Sequence, residues 1–120
     1  MKRLLTELGF SRTEILVYLL LLKKEHTLKD IEGSIHMRQP EVSVAVSRLE
    51  RRGLVVKRLL PLPEVSGVLR QGRPEKVVSV HTHGLMALIA RAEHLAGDYI
   101  RDVNQLKRYI PQNAAASKKE

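Results

Sequence analysis

The last third of the chain carries an apolar pattern that fixes its secondary structure over about 26 residues. The apolar positions recur at alternating intervals of four and three residues: Leu85, Ile89, Ala92, Ala96, Tyr99, Val103, Leu106 and Ile110. That spacing is the a/d repeat of a coiled coil, in which one stripe of a helix packs along a second helix. A helix of ~26 residues is roughly 40 Å long, which is more than a domain of this size buries by itself. We therefore expect a homodimer joined through this helix; the alternative is a helix packed only on its own domain.

The composition supports one small aliphatic core and limits which disulfides and metal sites the chain can form. Of 120 residues, 43% are hydrophobic and 28% charged, only one phenylalanine and three tyrosines are aromatic, and cysteine is absent. The lack of cysteine excludes disulfides and thiolate metal sites and favours a cytoplasmic location. The longest apolar run, Ile15 to Leu22, is far shorter than the ~20 residues of a membrane span, and no signal-peptide pattern precedes it.

Enzyme and metal-site signatures are missing from the sequence. It contains no glycine-rich phosphate loop, no nucleophile elbow and no HExxH motif. His81, His83 and His94 have neither cysteine nor a carboxylate cluster near them in the sequence, so we expect no metal site. We expect His81 and His83 instead to close the second strand around Thr82, the cap of the long helix. The sequence therefore predicts a protein that is not an enzyme and needs no cofactor.

Helix signals divide the first half of the chain. Ser11 and Glu14 have the spacing of a capping box, and the helix that follows is apolar nearly all round, as expected of a central helix. Thr27 is the N-cap candidate of a short second helix. A third helix is predicted over residues 40–52, because Pro40 suits a first helical turn and Gly53 suits a left-handed C-cap.

Two runs rich in β-branched or aliphatic residues follow Gly53 and predict a hairpin. The runs are Leu54 to Leu60 and Glu75 to His81, and the segment between them, residues 61–74, holds three prolines and two glycines. The order helix, helix, tight turn, helix, strand, long loop, strand is that of a winged helix-turn-helix. The predicted fold is mostly α with a small β-hairpin, followed by the long C-terminal helix.

The positive charge is concentrated where this fold contacts DNA. Residues 38–76 carry nine Lys/Arg and four Asp/Glu, which accounts for five of the eight net positive charges. Such a local surplus indicates a polyanionic partner. On the third helix, the small or cationic outward positions suited to bases and phosphates are Arg38, Ser43, Val44, Ser47, Arg48 and Arg51. Arg70 and Arg73 in the loop suit a minor groove, and Lys57, Arg58 and Lys76 are predicted to extend the phosphate contacts.

Two stretches resemble a known family. LGFSRTEILVYLLLL resembles the opening helix of TrmB-type transcriptional regulators, and QPEVSVAVSRLERRGLV is similar to the recognition helix of TrmB-like and MarR-like winged-helix proteins. The resemblance spans roughly residues 4–80, and the long terminal helix also fits the dimerisation helices of those proteins. It implies DNA contacts by Gln39, Pro40, Ser43, Val44, Ser47 and Arg48, with Arg73 in the wing. Many TrmB-type proteins continue into a large effector-binding domain; we expect the DNA-binding part alone, with any small-molecule effector left open.

These observations predict three parts and one function. Residues 1–81 are the winged helix-turn-helix domain, residues 82–110 the coiled-coil dimerisation helix and residues 111–120 a disordered tail. We expect a homodimeric transcriptional regulator that binds double-stranded DNA sequence-specifically, with helix 40–52 in the major groove and wing 61–74 at the minor groove. A protein-interaction module or a non-specific architectural DNA-binding protein are the alternatives.

Overall fold

The computed structural model describes residues 1–60 and 75–111. Its helices and strands in chain order are α1 (Lys2–Glu7), α2 (Arg12–Lys23), β1 (His26–Thr27), α3 (Leu28–Ile35), α4 (Gln39–Arg51), β2 (Val55–Leu59), β3 (Lys76–Val80) and α5 (Thr82–Lys107). The predicted fold class is confirmed: the chain is mostly helical with a small antiparallel sheet in winged helix-turn-helix order. The chain divides into two compact units, Met1–Ala87 and Leu88–Glu120. The predicted wing 61–74, with Arg70 and Arg73, and residues 112–120 of the predicted tail lie outside the described residues.

The core of the first unit is aliphatic, as the composition predicted. Its largest fully buried side chains come from α2, α3, α4 and the sheet: Val17, Tyr18, Ile31, Val42, Val46, Leu49, Val55 and Val78. Phe10 adds a ring centroid 5.5 Å from that of Tyr18. The helix α2 packs against α1, α3, α4 and β3, which confirms its central position.

Side-chain caps start α2 and α3 where the sequence placed them. The Ser11 hydroxyl accepts a hydrogen bond from the Glu14 N–H at 3.2 Å, and the Glu14 carboxylate accepts one from the Ser11 N–H at 3.3 Å. The Thr27 hydroxyl accepts from the Asp30 N–H at 3.1 Å. Each cap satisfies a backbone donor that has no partner within its helix.

The helix-turn-helix is formed by α3, a short turn and α4. The turn contains His36 in the left-handed conformation, with φ 54°. Gln39 and Pro40 are the first residues of α4 and Arg38 is its N-cap, so the helix begins one residue earlier than the predicted range 40–52. At the other end, Arg52 is the C-cap and Gly53 has φ 74°.

The end of α4 is a Schellman motif, which confirms the predicted role of Gly53. The Gly53 N–H donates to the Glu50 carbonyl and the Leu54 N–H donates to the Leu49 carbonyl, both at 3.0 Å. This pair of bonds requires a residue with positive φ between them, and glycine adopts it without a Cβ clash. The chain is thereby turned from α4 into β2.

Within the described ranges, the sheet has three strands in the order β1-β3-β2, and both strand pairs are antiparallel. Val55 pairs with Val80 and Leu59 with Lys76, which is the predicted hairpin. The third strand, His26–Thr27 opposite Val78 and Val77, was not predicted. Two residues are too short to show an alternating pattern, so this pairing is created by the tertiary fold.

The long helix α5 begins at Thr82, the first residue of the predicted range, but its capping residue and its end differ from the prediction. His81, not Thr82, caps its N-terminus, since the Gly84 N–H donates to His81 Nδ1 at 3.3 Å. At the other end the α-helix stops at Lys107, and residues 108–110 form tighter turns with i to i−3 hydrogen bonds of 3.0–3.1 Å. The predicted seam therefore stays within the α-helix only to Leu106, and Ile110 lies beyond it. Pro111 disfavours the α conformation of Ile110, and its ring would clash with the Lys107 carbonyl if the α-helix continued, which fits the end of the helix before this proline. Among the helices described, none is long and apolar enough to cross a membrane.

Candidate nucleic-acid interface

The outer face of α4 carries the chemistry that the sequence assigned to DNA. Val42, Ala45, Val46 and Leu49 are buried at helical spacing, so the remaining positions point away from the core. Ser43 and Ser47 are half-buried. The exposed residues of this helix and its N-cap are Arg38, Gln39, Pro40, Glu41, Val44, Arg48, Glu50 and Arg51. Val44 is 51% exposed although it is branched and apolar. An exposed valine between serines and arginines suits contact with a thymine methyl group.

The arginines of this face are exposed at the surface of the helix. Within residues 1–60 and 75–111, none of Arg38, Arg48 and Arg51 forms an ion pair. Arg48 and Arg51 lie in the last turn of α4, where a cation interacts favourably with the helix dipole. Their donors remain available for phosphate or for guanine.

The neighbouring Arg52 has a structural role instead. Its guanidinium donates to the carbonyls of Leu8 at 3.0 Å and Gly9 at 3.4 Å, and lies 4.4 Å from the centre of the Phe10 ring. It also lies 3.5 Å from the Glu14 carboxylate, which is only 5% exposed. Arg52 therefore joins the end of α4 to the turn between α1 and α2.

Two of the three strand cations predicted to contact phosphates are engaged elsewhere. Lys57 forms an ion pair with Glu50 at 3.3 Å, and Arg58 forms one with Glu25 at 2.7 Å. Lys76, at the start of β3, is exposed and pairs with no carboxylate in the described ranges. Of this group, Lys76 alone is without an ion-pair partner in the described part of the chain, and its phosphate contact stays a prediction.

Two depressions flank α4. One, of about 420 Å³, is lined by Ser11, Thr13, Pro40, Glu41, Val44, Ala45 and Arg48. The other, of about 340 Å³, is lined by Thr27, Leu28, Lys29, Glu32, Gln39, Glu75 and Lys76. The fold thus brings together Gln39 and Lys76, two residues predicted to contact DNA that are far apart in the sequence. It also places Pro40, Val44 and Arg48, which were predicted to contact DNA, around one depression.

The depressions also contain polar residues that sequence reasoning did not assign to the interface. Lys29 is an exposed cation beside Gln39 and Lys76, and Thr13 lies beside Val44. In the sequence, Lys29 lies two residues after the cap Thr27, and Thr13 lies two residues after the cap Ser11. Their positions therefore indicate only that they belong to the first turn of a helix. Only the packing of α2 and α3 against α4 shows that those helix starts border its outer face.

Comparisons with known proteins agree with this arrangement. The family model described as "Sugar-specific transcriptional regulator TrmB" matches residues 4–65. No curated protein sequence matches the chain.

Several solved structures share the fold at low sequence identity. A MarR-family regulator from Rhodococcus sp. RHA1 is 19% identical with a TM-score of 0.56, over 98% of this chain and 74% of that one. A possible transcriptional regulator from Methanosarcina mazei Go1 is 13% identical with a TM-score of 0.55, over 87% and 82%. A PadR-family regulator from Clostridium difficile R20291 is 19% identical with a TM-score of 0.52, over 80% and 98%. These likenesses concern the fold, whereas the family model covers more than half of the sequence, and the chain therefore belongs to the TrmB family of transcriptional regulators.

Proposed function

We propose that the protein is a homodimeric transcriptional regulator that binds double-stranded DNA sequence-specifically, with α4 in the major groove. The observation that carries this proposal is the outer face of α4, where Arg48 and Arg51 have no ion-pair partner among the described residues and lie one and two turns beyond the exposed Val44. A major groove is wide enough to admit an α-helix, and it displays guanine acceptors and thymine methyl groups that suit these side chains. Arginines that served only solubility would gain from pairing with carboxylates, as Arg58 does with Glu25.

The remaining predicted contacts are assigned around this helix. Ser43 and Ser47 offer short hydrogen-bonding groups where the helix approaches the bases. Gln39 and Lys76, which share a depression, are assigned to the phosphate backbone, and Arg38 at the N-cap is assigned to it as well. In the proposal the wing 61–74 approaches the minor groove with Arg70 and Arg73.

The dimer in this proposal forms through α5. Ile89, Tyr99, Val103 and Leu106 lie on one predicted seam, and each is 48–66% exposed in the single chain. A row of exposed apolar side chains at heptad spacing is favourable when a second helix covers it. Two chains joined in this way place two α4 helices on one face of the duplex, about 34–36 Å or a multiple apart, and so require an inverted-repeat site.

The test is recovery of fragmented DNA from the source genome on the purified protein at ~150 mM salt, followed by sequencing. One strongly enriched inverted repeat supports the proposal and gives the half-site spacing. Binding without enrichment supports the architectural alternative, and absence of binding even at low salt, where phosphate contacts are strongest, supports the protein-interaction alternative.

A single substitution then separates base contact from phosphate contact. If Arg48 contacts a base, Arg48→Ala lowers affinity for the enriched site by ~1–3 kcal/mol while leaving other sequences nearly unaffected. If it contacts phosphate, affinity falls equally on all sequences. Lys23→Ala is the matched control, because it removes an exposed positive charge from the end of α2 instead of α4.

A further inference from the structure

Among the described residues that line the depression containing Val44 and Arg48, Glu41 is the only acidic one. It is exposed in the first turn of α4, on a face otherwise suited to a polyanion. We propose that Glu41 is a specificity-determining residue, whose carboxylate accepts a hydrogen bond from the exocyclic amino group of a cytosine in the major groove. This inference rests on the proposed function and adds to it one element of the recognised sequence.

A comparison within the chain shows that Glu41 has no structural task of the usual kind. Glu14 and Glu41 are each the third residue of their helices. The Glu14 carboxylate accepts from the Ser11 N–H at 3.3 Å and pairs with Arg52 at 3.5 Å. The N-cap of α4, Arg38, has no side-chain capping bond, and Glu41 forms no ion pair with any residue in the described part of the chain. What remains is a favourable interaction with the positive end of α4, which any acidic residue there would make.

Electrostatics decide what such a carboxylate can approach in a DNA groove. An ionised glutamate has acceptors and no donor, so phosphates repel it, as do guanine O6 and N7 and thymine O4. Adenine offers an N6 donor, but beside it lies the N7 acceptor, an arrangement that suits an amide side chain. Cytosine presents the N4 amino group as its hydrogen-bonding group in the major groove. The chemistry of Glu41 therefore selects cytosine.

The position of Glu41 relative to its neighbours places this cytosine within the half-site. Glu41, Val44 and Arg48 have the spacing i, i+3, i+7 and line one depression, so they form one row along the helix. Seven residues of α-helix rise about 10 Å, which corresponds to roughly three base-pair steps of 3.4 Å. The row thus matches a cytosine for Glu41, a thymine methyl for Val44 and a guanine for Arg48 within about four successive base pairs.

The experiment is selection from a randomised duplex library by the full chain, carried out in parallel with Glu41→Gln and with Glu93→Gln. Glu93 is an exposed glutamate of α5 outside the predicted seam and serves as the matched control. We expect sites enriched by the wild type to hold one strongly preferred cytosine in each half-site. Glu41→Gln should lower the preference for that cytosine about tenfold, leave the other positions unchanged and raise affinity for unselected DNA, because a charge that repels phosphate is gone. Glu93→Gln should reproduce the wild-type profile.

A second measurement keeps the inference testable if the variant folds poorly. In the selected site, the preferred cytosine is replaced by 2-pyrimidinone, which lacks the N4 amino group. Wild-type affinity should fall about tenfold, and the affinity of folded Glu41→Gln should fall much less. If the wild type enriches a site but neither change alters recognition of any cytosine, the role of Glu41 is wrong while the proposed function stands. If the wild type enriches no sequence, the proposed function fails and this inference fails with it.

Discussion

At the scale of single residues, the adjacent Arg51 and Arg52 differ in their contacts, since Arg52 is bonded within the fold whereas the proposal assigns Arg51 to DNA. Arg52→Gln removes the contacts to the Leu8 and Gly9 carbonyls and leaves the nearly buried Glu14 carboxylate without its counter-charge. Hydrogen bonds to charged groups contribute about 1.5–3 kcal/mol each, and the partial exposure of Arg52 reduces that figure. We expect the free energy of unfolding, measured by urea titration, to fall by roughly 1–3 kcal/mol.

The control for this prediction is the neighbouring arginine. Arg51→Gln should change the free energy of unfolding by less than about 0.5 kcal/mol, because Arg51 is exposed and has no ion-pair partner in the described ranges. Equal losses in the two variants would contradict the assignment of Arg52 to the fold and Arg51 to the interface. DNA affinity should show the reverse order, with the larger loss in Arg51→Gln.

The second prediction at this scale concerns the hydroxyl of Tyr18. The residue is fully buried, and its oxygen has no hydrogen-bond partner among the described residues. Burial raises the pKa of Tyr18 above its usual value of 10.0, because a phenolate is disfavoured away from water. Above about pH 10, Tyr18 of the unfolded chain releases its phenolic proton, while Tyr18 of the folded chain retains it. The contribution of this group to stability is therefore complete below about pH 10 and is lost as the pH rises toward the raised value.

Replacing Tyr18 by phenylalanine tests both the unpaired hydroxyl and the raised pKa. Tyr18→Phe removes an unpaired buried hydroxyl, so we expect the free energy of unfolding to rise by about 1 kcal/mol at pH 8. The difference between variant and wild type should grow further between pH 10 and 11. Tyr109→Phe, at a 77% exposed position, should leave the stability profile unchanged. A smaller free energy of unfolding for Tyr18→Phe at pH 8 would show that the hydroxyl has a partner.

At the scale of helices and strands, local chemistry determined what could be predicted. The starts of α2 and α3 and the end of α4 were located from Ser11, Thr27 and Gly53, because each acts on backbone groups within a few residues. β1 was missed because its two residues become a strand only by pairing with Val77 and Val78, far along the chain. The cap of α5 was misplaced because a histidine ring nitrogen acts there in place of the expected threonine. The same limit applies at the interface, where the outer face of α4 was predictable from its period but the neighbouring Lys29 and Thr13 were not.

Two glycines of α5 give a matched prediction at this scale. A Cβ added at Gly84 would overlap the Gly53 carbonyl oxygen and lie 2.8 Å from its carbonyl carbon, whereas one at Gly97 meets nothing within 4 Å in the described structure. Gly84→Ala forces backbone to move and should lower the free energy of unfolding by roughly 1–3 kcal/mol. Gly97→Ala should raise it by up to about 1 kcal/mol, because alanine favours the helix. Thermal unfolding of both variants measures this, and destabilisation of similar size at both positions would contradict the close approach at Gly84.

At the scale of the whole molecule, the proposed dimer links the shape of the DNA site to α5. The seam residues Val103 and Leu106 are 49% and 66% exposed in the single chain, and burying each apolar side chain fully would contribute about 1.5–3 kcal/mol. Glutamates at both positions would place like charges in the seam of two paired helices. We therefore expect Val103→Glu/Leu106→Glu to sediment as the 13.6 kDa chain and the wild type at twice that mass.

The consequence for DNA follows from symmetry. A dimer binds both halves of an inverted repeat in one event, because the first half-site contact raises the effective concentration of the second α4. The double variant should therefore bind an isolated half-site with the same affinity as one wild-type protomer. Its affinity for the full repeat should be no higher than for the half-site, and should not depend on the spacing of the half-sites. Gln105→Glu, on the same turns of α5 but outside the seam, adds a negative charge and should leave mass and DNA binding unchanged. A double variant that stays dimeric and still prefers the intact repeat would place the dimer contact elsewhere than on this face of α5.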